Sequence, residues 1–330
     1  IKWCPGQRSG LLKPHICPWR LAYLFDNPES GEGKAYLYLG SADGPSTTPA
    51  WTAIGNQAFA QFGWSVASAG DVNGDGFSDV IVGAMKFTAS LAEQGRVFLY
   101  LGSSSGLAAA PAWTVDGVQA SEDFGYSVAS ADDVNGDGYA DVIIGARGHS
   151  NGQAGEGSAW IYLGSATGLE TSPVWSAESN QAGSEFGIAV AGAGDVNGDG
   201  YSDIIVGADH YGNGEAQEGR AYVYLGSPSG VQASPAWIAE SNQVNAFFGV
   251  SVATAGDVNG DGYSDVVVGA PGYDDAPSAS GKANVYLGSP SGLSASLSWS
   301  AVPSLNVCRL GNSVASSGDV NGDGFSDVIV

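Results

Sequence analysis

The residues with the clearest chemistry stand in five nine-residue segments of the form D-x-N-x-D-G-x-x-D. The first holds Asp71, Asn73, Asp75, Gly76 and Asp79. Side-chain oxygens at positions 1, 3, 5 and 9 can converge if the chain coils tightly, and Gly at position 6 permits that turn. The main-chain carbonyl of Phe77, at position 7, adds another oxygen. The same set recurs at Asp133, Asn135, Asp137, Tyr139 and Asp141, and at Asp195, Asn197, Asp199, Tyr201 and Asp203. It recurs again at Asp257, Asn259, Asp261, Tyr263 and Asp265, and at Asp319, Asn321, Asp323, Phe325 and Asp327. Hard oxygen donors with three negative charges suit calcium. Magnesium demands a stricter octahedron, and softer metals want His or Cys, which these loops lack. One Ca2+ per loop is expected, five in all.

The magnitudes favour a metal over a plain hairpin turn with solvated acids. Two carboxylates about 4 Å apart repel by roughly 4 kcal/mol at an effective dielectric near 20. The five loops hold 15 of the 34 acids, three in each. Five divalent ions would take the formal charge from −23 to −13. The helix–loop–helix calcium motif shares D-x-N-x-D-G but needs an acid at position 12 and a helix after it. Position 12 here is Val82, Ile144, Val206, Val268 and Val330, and the chain continues as a strand. The loop therefore joins two strands.

Composition agrees. With 51 Gly and 14 Pro in 330 residues, a helix bundle is disfavoured, while 43% hydrophobic residues and many aromatics argue against disorder. Short strands joined by turns are expected. A charge of −23 disfavours nucleic acid and anionic membrane surfaces as partners. Cys4, Cys17 and Cys308 include no CxxC, so neither a disulfide framework nor a zinc site is indicated. No apolar run reaches membrane-spanning length. The chain starts at Ile1 and stops at Val330 inside an expected strand, so it reads as a fragment. The lack of a leader then says nothing about secretion.

The elements that must position the loops follow from an internal period. DVNGDG begins at Asp71, Asp133, Asp195, Asp257 and Asp319, each step being 62. Trp51, Trp113, Trp175, Trp237 and Trp299 keep that step, as do YLGS segments at Tyr38, Tyr100, Tyr162, Tyr224 and Tyr286. One unit reads as four strands: FGYSVASA (124–131), DVIIGA (141–146), GSAWIYLG (157–164) and SPVWSA (172–177). Four antiparallel strands per repeat make one propeller blade, so the fold is all-β. Small residues on the first strand suit convergence on an axis, and the periodic Trp would fill the space between blades. The units run 62–123, 124–185, 186–247 and 248–309, with partial units at 23–61 and 310–330 and a divergent segment at 1–22.

Phe124-Gly125, DVNGDGYAD and Gly145-Ala146, with Gly269-Ala270-Pro271 in another unit, resemble the FG-GAP repeat. The resemblance covers about 23–330 and is similar to the seven-bladed headpiece of integrin α subunits and to bacterial surface proteins. It implies calcium in the loop between the first two strands of a blade, an extracellular or cell-surface setting, and adhesion or ligand recognition. All five loops carry the calcium pattern, whereas several integrin blades lack it. That uniformity, and the absence of any N-x-S/T sequon, point to the bacterial type. A piece of a seven-bladed propeller is the expectation, with a closed ring of five the alternative, because 23–61 and 310–330 could share a blade.

The segments after Gly-Ala differ between units: MKFTASLAEQ (85–94), RGHSNGQAGE (147–156), DHYGNGEAQE (209–218) and PGYDDAPSAS (271–280). They should lie opposite the calcium loops, where variable loops make a surface for a protein or glycan ligand. No HExxH appears, and His149 and His210 stand in different units as expected exposed loop residues, so no enzyme is predicted. The alternatives are a structural display scaffold, or an accessory domain of a larger secreted enzyme such as a phospholipase or a glycan-active hydrolase.

Overall fold

The computed structural model describes residues 25–26, 29–274, 280–303 and 308–330; the divergent segment 1–22 lies outside them. Every regular element described is a strand. Three complete sets of four follow the 62-residue period and a fourth closes with a shorter strand. The described residues open on a two-stranded set, β1 (Lys34–Leu37) and β2 (Trp51–Ile54), followed by β3 (Phe62–Gly70), β4 (Asp79–Ala84), β5 (Arg96–Tyr100) and β6 (Trp113–Asp116). Next come β7 (Ser127–Asp132), β8 (Asp141–Ala146), β9 (Ser158–Tyr162) and β10 (Trp175–Glu178). After them stand β11 (Ala189–Gly194), β12 (Asp203–Ala208), β13 (Arg220–Tyr224) and β14 (Trp237–Glu240). The chain continues with β15 (Ser251–Gly256), β16 (Asp265–Ala270), β17 (Lys282–Tyr286) and β18 (Trp299–Ala301), and ends on β19 (Ala315–Gly318) and β20 (Asp327–Ile329).

Each set is an antiparallel meander, for example β3-β4-β5-β6 with Val80 opposite Tyr100 and Ile81 opposite Leu99. The second strand is the most buried, since β8, β12 and β16 are hidden along their whole length. Both of its faces meet a neighbouring sheet, which explains why DVIIGA reads as an unbroken apolar run. The core lies between sheets: Ile143, Ile161 and Trp175 of one unit pack with Phe186, Val206 and Tyr224 of the next. First strands of successive sheets lie side by side, β3 by β7, β7 by β11, β11 by β15 and β15 by β19. This is an open arc of β-propeller blades. The closed ring of five is not formed, because β1–β2 and β19–β20 stay in separate two-stranded sheets with no shared hydrogen-bonded edge.

The periodic Trp does sit between blades. The indole N–H of Trp113 donates to Glu170 O at 3.1 Å, and that of Trp175 to Gln232 O at 3.0 Å, each in the following unit. Trp175 also meets the edge of Tyr224, with ring centroids 4.9 Å apart. The buried indole thus satisfies its only donor while its ring fills the wedge.

The expected first strand is shorter than FGYSVASA in most units. Phe124 does not enter β7; it forms a parallel bridge back to Gly95 of the preceding unit, as Phe186 does to Gly157. The Phe side chain is buried as a joint between units. Gly145 is required for this joint: a Cβ there would lie 2.1 Å from Gly187 O in the next blade.

Candidate metal loops and the face opposite them

The DVNGDG segments coil into a tight turn held by bonds from backbone N–H groups. Asp71 Oδ1 accepts the N–H groups of Gly74 and Asp75 at 2.8 and 3.1 Å, and its Oδ2 accepts Gly76 N–H at 2.8 Å. Asn73 Oδ1 accepts Asp75 N–H at 3.1 Å, and Asp75 Oδ1 accepts Phe77 N–H at 3.0 Å. Asn73 Nδ2 donates to Asp75 Oδ2 at 3.0 Å, so the side chains at positions 1, 3 and 5 fold into one turn. The loops at Asp133, Asp195, Asp257 and Asp319 repeat the pattern. Gly138, at position 6, has φ of 91°, a left-handed conformation that most residues avoid.

Position 9 is tied down differently. Asp79 is fully buried; its Oδ2 accepts Val72 N–H at 3.0 Å and its Oδ1 accepts Gly102 N–H at 2.7 Å. The carboxylate therefore clips the loop to the end of the third strand. Asp141, Asp203 and Asp265 do the same with Gly164, Gly226 and Gly288. Reading the sequence missed this second task. The signal was present: in four of the five YLGS segments the Gly follows the ninth loop residue of its unit by 23 positions.

Burial pushes Asp141 and Asp203 up to about 7. Two backbone N–H groups oppose the rise, and the charges at positions 5 and 1 of the same loop reinforce it. Asp79 and Asp265 are raised for the same reasons. A buried carboxylate flanked by two more fits a hard cation, and the all-oxygen donor set fits calcium. The pH dependence has a definite sign. An unfolded Asp titrates near about 3.9. Metal-free, the folded chain therefore binds the proton more tightly, so stability is lost as pH rises through 7. A cation competes with that proton. Calcium affinity of these two loops should fall roughly twentyfold between about pH 7.5 and about pH 5.5, read by calorimetric titration. Equal affinity at both values would contradict the assignment.

In a meander the turn after the second strand lies at the sheet end opposite the turn after the first, so the variable segments lie opposite the DVNGDG loops. They are held by side chains that the sequence reading did not single out. Gln181 Nε2 donates to Gly212 O at 2.8 Å while Gly212 N–H donates to Gln181 Oε1 at 2.7 Å. Gln57, Gln119 and Gln243 grip Thr88, Ser150 and Asp274 in the same two-bond way. The signal was a Gln recurring every 62 residues between Trp and Phe-Gly. Inside two of the loops a buried acid adds an anchor, Glu156 Oε1 accepting Asn151 N–H at 2.5 Å and Glu218 Oε1 accepting Asn213 N–H, and in 85–94 the buried carboxamide of Gln94 accepts Leu91 N–H. Residues 275–279 of the last variable segment lie outside the described residues.

Charged pairs link units across this face. Lys86 Nζ stands 2.6 Å from Asp123, which also meets Arg147 at 3.1 Å; Arg147 reaches Glu185 at 3.1 Å. Among the described residues, Glu185, Asp209 and His210 are the one group of three acid or histidine ligands whose atoms lie within 4.8 Å of one another; the three aspartates of the D-x-N-x-D-G-x-x-D loops do not come that close together. The hydrogen bond to Asp209 pushes His210 up.

His149 corrects an expectation: it is buried, 8% exposed, with Nδ1 2.6 Å from the fully buried Glu122. Its counterparts are Phe87, Tyr211 and Tyr273, and those of Glu122 are Ala60, Ser184 and Ala246. A polar pair has replaced an aromatic–small pair at one place. Substituting His149→Tyr strands a buried carboxylate and should cost about 3–5 kcal/mol. The double variant His149→Tyr/Glu122→Ala copies the Tyr273/Ala246 pair and should recover most of it. Urea unfolding of the cycle decides; additive losses would contradict the coupling.

Four segments match the FG-GAP repeat: 62–100, 124–162, 186–224 and 248–287. The chain is 33% identical over 222 residues to integrin alpha-5 of Xenopus laevis, covering 64% of this chain and 20% of that protein. It is 36% identical over 235 residues to integrin alpha-IIb of Mus musculus, covering 61% and 22%. With integrin alpha-V of Gallus gallus the identity is 36% over 224 residues, covering 65% and 20%. The chain thus spans about a fifth of the length of these relatives.

Proposed function

The chain is an integrin-α-like FG-GAP repeat protein, and from that premise we propose that residues 23–330 form a calcium-stiffened, non-enzymatic recognition module of an extracellular or cell-surface protein. Calcium is held at positions 1, 3, 5, 7 and 9 of the five loops. The ligand, a protein or a glycan, docks on the opposite face. The observation that carries this reading is the pairing of sequence variety with fixed backbone. The segments at 85–94, 147–156 and 209–218 differ in every unit, yet each is gripped by a Gln from the neighbouring turn and by a buried carboxamide or carboxylate. A pre-ordered loop loses less entropy on binding. Nucleic acid is disfavoured by the charge of −23.

The test is ligand capture on a glycan array and from cell-surface extracts, with calcium and with chelator. Binding should require calcium and weaken in Gln181→Ala, which frees the 209–218 loop. Capture that ignores both calcium and that loop would contradict the reading, as would the absence of any ligand.

A further inference from the structure

We infer that the cleft over Asn284, between the units 186–247 and 248–309, is a pocket for a small molecule built on one aromatic ring with a hydrogen-bond donor. The other units show what fits there. The middle residue of the third strand is Phe98 in β5, Trp160 in β9 and Tyr222 in β13, but Asn284 in β17. Each of those rings is met from two sides. Phe98 has its centroid 5.2 Å from Phe62 and 6.0 Å from Phe87. Trp160 lies 5.4 Å from Phe124 and 5.1 Å from His149, and Tyr222 lies 5.2 Å from Phe186 and 6.4 Å from Tyr211. Phe248 and Tyr273 hold the same two places around Asn284, where a short carboxamide replaces the ring. The room left is a cleft of about 400 Å³, walled by Phe248, Tyr273 and Tyr286 and flanked at its mouth by Ile238 and Leu297. That volume falls within the range of about 300–1,000 Å³ usual for small-molecule sites.

The floor of the cleft is polar. Asn284 is only 4% exposed. Its Nδ2 donates to Val268 O over a long 3.4 Å, and among the described residues no donor reaches its Oδ1. A buried acceptor without a partner is costly, and a ligand O–H or N–H would satisfy it. Lys282 stiffens one wall, its Nζ standing 4.7 Å from the centroid of Tyr273. A ring entering the cleft regains the aromatic contacts that Phe98, Trp160 and Tyr222 make in their own units, and its donor reaches Asn284. An aromatic guest in a cavity that a smaller side chain leaves open has direct precedent in engineered cores.

Titration of the 330-residue chain in calcium with p-cresol, followed by ligand-observed NMR, tests this. p-Cresol is the tyrosine ring with its hydroxyl, and it should bind with a Kd of about 1 mM or tighter. Asn284→Tyr copies Tyr222 and fills the cleft from within. It should raise the melting temperature and weaken p-cresol at least about tenfold. Asn284→Leu keeps the room but removes the carboxamide; it should weaken p-cresol about threefold or more and should not weaken toluene. Absence of saturable p-cresol binding would overturn the inference, as would equal affinity in Asn284→Tyr. If Asn284→Tyr fails to fold, the Asn284→Leu comparison still decides, because parallel changes for p-cresol and toluene, or none for either, would overturn it.

Discussion

Chelating calcium should lower the melting temperature of the chain by at least about 10 °C. An ion that binds only the folded state stabilises it by about 2.7 kcal/mol at a hundredfold excess over its dissociation constant. Several loops acting together contribute several times that, and one kcal/mol moves the melting point by about 2–4 °C in chains of a few hundred residues. The structure says why the loss should spread. Each loop closes the hairpin between first and second strands, and its ninth residue also holds the end of the third strand. Neighbouring units touch through the same region: Ala140 N–H donates to Asp71 O at 3.0 Å and Ser165 N–H to Val72 O at 3.0 Å. A loop pushed open by its own carboxylates therefore disturbs three strands and the next blade. Differential scanning calorimetry with calcium, magnesium and chelator reads the effect; magnesium should restore only a small part. Overlapping transitions in all three would contradict the metal assignment.

The second large effect separates two aspartates of a single loop. Asp199 is exposed and its bonds are local, to Tyr201 N–H and Asn197 Nδ2. Asp203 is buried and accepts Val196 N–H and Gly226 N–H. In calcium, Asp199→Ala and Asp203→Ala should each remove one bound ion. In chelator they should diverge. Asp199→Ala removes a repelling charge at the surface and should change stability by less than about 0.5 kcal/mol. Asp203→Ala leaves two buried N–H groups without partners and should cost about 2–5 kcal/mol. Equal behaviour in chelator, measured by denaturant unfolding, would show that the ninth position is a ligand only.

Much of this was legible in the sequence because a repeat prints each requirement many times. The loop pattern, the strand order and the Trp between blades all carry the 62-residue step, and a tight acidic turn is a local feature whose partners lie within nine residues. What escaped was non-local. Nothing in Phe124-Gly125 alone says that the Phe bridges back to Gly95 rather than opening the strand after it. The grip of Gln181 on Gly212 spans 31 residues and joins two turns that only folding brings together. His149 reads as a loop residue until Glu122, in the preceding turn, is seen beneath it. The open arc had the same character, since whether two half-blades meet depends on the placement of sheets far apart in sequence, and here β1–β2 and β19–β20 do not share an edge.

The account turns on cations held by the five D-x-N-x-D-G-x-x-D loops, and counting them is the direct check. The chain, saturated with calcium and freed of excess by gel filtration, should carry about five ions by elemental analysis, one for each loop. The quintuple variant with Asp71, Asp133, Asp195, Asp257 and Asp319 changed to Asn should carry few or none. A chain that emerges folded and free of calcium would contradict the central claim.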